Sequence, residues 1–329
     1  MREIGSDFWD VPMIEEINTL FPDSVQWFLA GRNALTAIIR DIKSKREVHT
    51  VEMPSWCCDS MIIPFLREDI EVRFYPVYWK NGLKQEPEQN GDILFLMDYF
   101  GYTSDTSVFH PCVIRDVTHS VFSHQYTDAT YYFGSLRKWC GVKSGGFALG
   151  FQAEKDGVDR KFIDLRTVAM YKKEMYISRQ TGNKHYLKIY KEAEEYLDNL
   201  EGVFEADTDD IKAIRHLDIS RIRSQRRKNA GILMREFQDQ LIFPSFDTED
   251  CPMFVPIFVP DEKREALRSY LIQHDIYCPV HWPVSEYHRL EKRELNIYQN
   301  ELSIICDQRY SEEDMYRIVD RIARFWKGG

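Results

Sequence analysis

Apolar and polar positions recur along this chain with two periods, one helical and one extended. Trp27 to Leu29 are apolar, Gly31 breaks the run, and Ala34, Leu35, Ile38, Ile39 and Ile42 then fall at helical spacing. A glycine turn opening a helix near Arg32 is expected. Short apolar runs follow at Val48 to Met53, Ile70 to Tyr75, Ile93 to Met97, Val113 to Ile114, Ala129 to Phe133 and Phe147 to Phe151, and each reads as a strand. Trp56 to Leu66 reads as a helix, and Glu71 and Arg73 share one face of their strand. Alternating strands and helices predict an α/β domain with a mostly parallel sheet. Ligands of such sheets bind at the carboxyl ends of the strands. Trp56, Asp98, Asp116 and Lys138 stand at or just after such ends.

The rhythm then changes. Residues 154–200 are charged and helical in pattern, one or two amphipathic helices expected to bridge two domains. A helix over residues 215–237 carries Arg223, Arg226, Arg227 and Lys228, interleaved with Ile222, Ala230, Leu233 and Met234. That interleaving describes a solvated helix face rather than a nucleic-acid surface. Strands at Met253 to Val259, Ile276 to Trp282 and Leu302 to Cys306 surround a helix from Asp261 to His274. Ser311 with Asp314 three positions on opens a last helix in the manner of a capping box. The expected organisation is an arm and large domain over residues 1–209, with a small C-terminal α+β domain over 210–329.

Composition narrows the class. The 329 residues are 43% hydrophobic and rich in aromatics, with 20 Phe and 18 Tyr, so a long disordered span is not expected. A net charge of −10 argues against general nucleic-acid binding. No apolar run has the length of a membrane helix, and residues 1–12 lack a signal-peptide core. The seven cysteines are scattered with no CxxC pair, which points to a reduced, cytoplasmic protein without a zinc site. Residues 1–24, with Phe8, Trp9 and several acids, read as an arm packing over a neighbour or a domain face.

Three places offer chemistry. Lys138 follows an apolar strand and precedes Trp139 and Cys140; it is either a desolvated amine suited to Schiff-base chemistry or a surface lysine at a strand end. Asp116 follows a strand, with His119 three residues later. That pair is a catalytic couple, a metal couple, or a capping aspartate beside a packed histidine. The helix start at Gly31, Arg32 and Asn33 offers free N–H groups and a positive charge to a phosphate, or else only a solvated arginine.

The segments AGRNAL, MPSWCCDSM, DYFGY, IRDVTHS, GSLRKW with its SGG, and YCPVHWP occur in that order over nearly the whole chain. In this order they resemble the fold-type I pyridoxal-phosphate enzymes, and most closely the DegT/StrS family of sugar aminotransferases. Asp116, His119 and Lys138, with Gly145 and Gly146 seven and eight positions beyond the lysine, reproduce the family's register.

The resemblance implies that Lys138 holds pyridoxal 5'-phosphate as a Schiff base and then moves the proton. It implies that Asp116 pairs with the ring nitrogen and that His119 lies beside the ring hydroxyl. Ser135 would bind the phosphate with the amides of Arg32 and Asn33 after Gly31, Trp56 would stack on the ring, and His281 would sit at the substrate edge. It further implies a homodimer and an amino acid, glutamate above all, as donor. The acceptor would be a nucleotide-linked keto sugar, in surface polysaccharide or secondary-metabolite biosynthesis. A dehydratase or lyase on the same cofactor, or a non-catalytic scaffold, is the alternative; the retained lysine, aspartate and histidine weigh toward transamination. Arg32 stands where the family has Thr or Ser, and Lys143-Ser144 replaces its Gly-Glu.

Overall fold

The computed structural model describes residues 3–102, 108–123 and 126–327. Its elements, in chain order, are β1 (Ile4–Gly5), β2 (Gln26–Phe28), α1 (Gly31–Lys45), β3 (Thr50–Pro54), α2 (Asp59–Arg67), β4 (Glu71–Tyr75), β5 (Val77–Trp79), β6 (Leu83–Gln85), β7 (Ile93–Met97), β8 (Val113–Asp116), β9 (Tyr131–Ser135) and β10 (Gly146–Leu149). Then come α3 (Arg160–Ile177), α4 (Tyr186–Asp198), α5 (Thr208–Arg215), α6 (Ile219–Glu236), β11 (Phe254–Phe258), α7 (Arg264–Gln273), β12 (Ile276–Tyr277), α8 (Lys292–Asn300), β13 (Glu301–Ile305) and α9 (Glu312–Lys327).

The central sheet has seven strands in the order β2-β10-β9-β8-β7-β3-β4. Strands β4, β3, β7, β8 and β9 run parallel, while β10 runs antiparallel to both β9 and β2. β7, β8 and β9 are buried at every position, as expected in a sheet covered on both faces, and Ile93–Met97 is an uninterrupted apolar run. β4 is the edge: Glu71 and Arg73 pair with each other on its exposed face at 3.0 Å, charges of the kind that keep a strand edge from recruiting another. The α/β expectation with a mostly parallel sheet is borne out.

Two glycines allow close approaches on either side of β10. A Cβ on Gly146 would lie 2.2 Å from the Ala30 carbonyl carbon, so only glycine lets β10 pass the start of α1. A Cβ on Gly134 would meet the Phe147 ring at 2.7 Å.

The C-terminal part builds a two-stranded antiparallel sheet, β11 with β13; α6 packs on β11 and α7 on β13, and α9 packs on both helices. The strand expected over Ile276 to Trp282 is shorter than predicted. It keeps ladder bonds only at Ile276 and Tyr277, where it pairs with β1, and Pro279 cannot donate further. The described part of the arm, residues 3–24, folds over its own chain. Ile4 N donates to Asp275 O at 2.9 Å, and Gly141 leaves room for Asp10, whose N would lie 2.3 Å from a Cβ there. Ser311 and Asp314 cap α9 as expected, with Ser311 N donating to Asp314 Oδ2 at 3.0 Å. Among the described residues no helix is long and apolar enough to cross a membrane, and no metal-ligating cluster occurs.

Candidate active site

The register of the parallel strands assembles the site. Met97, Asp116 and Phe133 are aligned across β7, β8 and β9, so Asp116 ends its strand at the rim where β9 is about to turn. Past β9 the chain makes a short 3-10 turn, Leu136–Lys138, pinned by Leu136 N to Gly145 O at 2.9 Å. Trp139 locks the far side of that turn, its Nε1 donating to Thr118 O at 2.7 Å. The turn is therefore tied to the segment that carries Asp116 and His119.

Asp116, His119, Ser135, Lys138, Gly31, Arg32 and His281 line one cavity of about 130 Å³. Asp116 is buried, and Oδ1 accepts Thr118 N at 2.8 Å. Burial pushes its carboxyl up to about 7, and Lys138 offsets this least of the contributors. His119 is buried with Nδ1 unpartnered among the described residues; burial, then the charge of Lys138, holds its imidazole down to about 3. Its ring stacks on Trp282 at 5.6 Å and 19°. Of the two readings left open for Lys138, a desolvated amine or a surface lysine at a strand end, the second matches its exposure; Trp139 and Cys140 after it are buried.

α1 begins at Gly31, and its N-cap is Ala30, which has no side-chain acceptor. The first-turn N–H groups at Gly31 and Arg32 thus face the cavity with no partner from a capping side chain. Arg32 reaches Asp198 at 2.5 Å.

Two expected contributors lie elsewhere. Asn33 N donates to Ala30 O at 3.1 Å and its Nδ2 to Gly202 O at 3.0 Å, so Asn33 serves the helix start and faces a neighbouring cavity of about 320 Å³. Trp56, expected to stack on a ring, does not line the site. It is wholly buried beneath, stacked on Tyr99 at 4.9 Å, with Nε1 donating to His281 O at 2.6 Å. The turn after β3 instead presents Cys58, whose Sγ lies 2.9 Å from Ser60 Oγ, and the second aromatic wall is Trp282.

The opposite wall was missed from the sequence altogether. Glu194 on α4 pairs with Arg137 and, at 3.4 Å, with Arg166. Burial drives the Glu194 carboxyl up, but the two arginines outweigh it and hold it at about 2. Burial lowers Arg137 to about 10. Arg137 stood beside Lys138 in the motif and was a legible candidate; nothing local marks Glu194 within its acidic helix. Arg137, Lys138 and His281 also line a second cavity, of about 370 Å³, that includes Arg268 and Arg309.

The fold is that of known sugar aminotransferases. Helicobacter pylori PseC, an aminotransferase involved in the biosynthesis of pseudoaminic acid, superposes with a TM-score of 0.66 at 13% identity, covering 98% of this chain and 100% of that one. The putative sugar aminotransferase Spr1654 from Streptococcus pneumoniae, in its PLP form, gives a TM-score of 0.65 at 12% identity and covers 97% of each chain. A DegT DnrJ EryC1 StrS aminotransferase from Brucella abortus gives 0.58 at 14% identity, over 92% of this chain and 85% of that one. These structures belong to the group that the motif order resembles. No family model matches the sequence, and no curated protein matches it.

Proposed function

We propose that this chain is a pyridoxal 5'-phosphate-dependent aminotransferase, moving an amino group from glutamate to a keto group on a nucleotide-linked sugar. The observation that carries the reading is the convergence of Asp116, His119 and Lys138 on one cavity beside the uncapped start of α1. The residues fit the cofactor. His119 Nδ1 is a buried polar atom lacking a protein partner, and Asp116 is a buried acid whose ionised form calls for a cation. The cofactor, when bound, supplies an aldehyde for amines and a ring that withdraws electrons from the adjoining carbon.

The chain supplies the rest. Lys138, exposed where it lines the cavity, is the amine that would hold the cofactor and, once released, would hold the proton being moved at Nζ. Asp116 would pair with the ring nitrogen and favour its protonated form, and His119 would lie beside the ring oxygen. Ser135, Arg32 and the N–H groups at Gly31 and Arg32 take the phosphate, the helix start favouring the anion. Trp282 and Cys58 line the same cavity and would flank the ring. His281 addresses the substrate from between the two cavities. We further place the protein in the cytoplasm as a homodimer, with a second copy covering the mouth at Lys138 and limiting its contact with water.

Purified protein given pyridoxal 5'-phosphate is expected to turn yellow, and glutamate to bleach the colour until a nucleotide-linked keto sugar restores it. A colourless protein that takes up no cofactor contradicts cofactor binding; a yellow protein unmoved by any amino donor contradicts transamination. Sedimentation of the holoprotein as a monomer with full activity contradicts the dimer.

A further inference from the structure

A buried chain of hydrogen bonds runs from the C-terminal sheet to the wall of the site. Glu301 and Ser303 point to the same side of β13, because alternate strand residues share a face. Both are wholly buried. Ser303 Oγ lies 2.5 Å from Glu301 Oε1 and 2.8 Å from His281 Nδ1. Glu301 Oε2 accepts the His281 backbone N–H at 2.8 Å. That bond commits Oε2 as an acceptor, so a proton on Glu301 resides on Oε1, facing Ser303. His281 in turn lines both cavities with Lys138.

We propose that Glu301, Ser303 and His281 form a proton relay that decides whether His281 Nε2 offers the substrate cavity a donor or an acceptor. With Glu301 protonated, Oε1–H donates to Ser303 Oγ, Oγ–H donates to His281 Nδ1, and the imidazole proton sits on Nε2. With Glu301 ionised, Ser303 Oγ–H donates to Oε1, Nδ1–H donates to Oγ, and Nε2 presents a lone pair. Passage from the first state to the second moves one proton into the cavity. Oε1 gives its proton to Oγ, Oγ gives its own to Nδ1, and Nε2 releases one to the bound group. Glu301 loses a proton, the bound group gains it, and charge is conserved. Under the function proposed above, on which this identification of the acceptor rests, the proton goes to the substrate oxygen that departs as water. Glu301 and Ser303 are positioning residues; His281 is the group that meets substrate.

The surroundings suit an exchange of tautomer rather than of charge. Burial raises the Glu301 carboxyl to about 8, against the downward pull of Ser303, the His281 N–H and the Arg264 guanidinium. Cys278 is the other titratable neighbour of Glu301. Burial, then His119 and Lys138, holds the His281 imidazole well below its ordinary value, so the ring is neutral.

The test is nitrogen NMR of the full histidine-labelled chain, with His281 assigned by the signals lost in His281→Asn. Spectra span about pH 6 to about pH 10, either side of the Glu301 carboxyl. The expected result is a proton on Nε2 at the acid end that moves to Nδ1 as the pH passes about 8. Glu301→Gln should pin it on Nε2 throughout, because the amide carbonyl must accept the His281 N–H and its NH2 then donates to Ser303. Ser303→Ala should abolish the pH response. In the holoprotein, Glu301→Gln should lower kcat roughly 10- to 100-fold with little change in KM. A wild-type tautomer that stays constant over the range, or an inversion that survives in Glu301→Gln, overturns the relay. The spectra need no cofactor, so a colourless protein that shows the inversion refutes the aminotransferase reading and leaves the relay standing.

Discussion

Two carboxylates face the same cavity from opposite walls, and their surroundings drive them in opposite directions. Asp116, at the end of a buried parallel strand, has the Thr118 N–H as its close partner and is pushed up to about 7 by burial. Glu194, on α4, is also driven up by burial, yet Arg137 and Arg166 hold it at about 2. The helix wall is finished within the protein, its charge answered by its own arginines. The sheet wall offers an acid whose answering cation must come from elsewhere, and that is what a ligand-facing carboxylate looks like. The difference separates scaffold from chemistry among residues that are equally acidic in the sequence.

Four substitutions break or sharpen this contrast. The largest expected effect is that of Lys138→Ala, which should abolish the yellow colour and slow amino transfer on the order of 10⁴-fold, measured with glutamate as donor. Because Lys138 is exposed, its loss should leave stability within about 0.5 kcal/mol of wild type. Glu194→Gln should do the reverse in kind. It removes the charge that answers Arg137, leaves Arg166 only Asp7 at 3.6 Å, and, because the Glu194 side chain is 42% exposed, should cost about 1–2 kcal/mol in chemical denaturation. A loss much below 1 kcal/mol would show that the helix wall is not the finished structure described here.

Asp116→Asn tests the other wall through pH. A carboxyl raised from 3.8 to about 7 binds its proton more tightly folded than unfolded. The cofactor-free protein therefore loses stability as pH rises from about 4 to about 7, and the asparagine variant should lack that decline. Glu194 acts in the opposite window, stabilising at neutral pH and failing as pH falls from 4.5 toward about 2. Thermal midpoints across pH should therefore be flatter above about pH 4 in Asp116→Asn and flatter at the acid end in Glu194→Gln. The smallest effect on the site itself belongs to Trp56→Phe. It removes the indole N–H bond to His281 O and leaves a void in a fully buried site, together about 1–3 kcal/mol, and should leave the colour of the bound cofactor unchanged because Trp56 lies off the wall.

What the sequence disclosed follows from what is local. Apolar runs marked the strands of the central sheet, and the positions of Asp116 and Lys138 after two of them placed both on one rim once the strands were taken as parallel. What it hid depends on distant partners. Glu194 meets Arg137 across 57 positions, and no spacing announces that contact. By resemblance Trp56 would stack on the ring, but its neighbours Tyr99 and His281 O draw it underneath, and Cys58 takes the wall two residues on. For Lys138 the sequence leaves a desolvated and a surface position both open, since Trp139 and Cys140 beside it are buried while it is itself exposed. The helix α8 and the β5–β6 hairpin also went unread; α8 is mostly polar, with Ile297 and Tyr298 among its few buried positions.

Borohydride reduction of the yellow holoprotein, followed by peptide mapping, bears most directly on the role of the sheet wall. Cofactor fixed to Lys138 is the expected result, and Lys138→Ala should yield no labelled peptide. Attachment to any other lysine in the wild-type protein, or none at all, would contradict the assignment of this cavity.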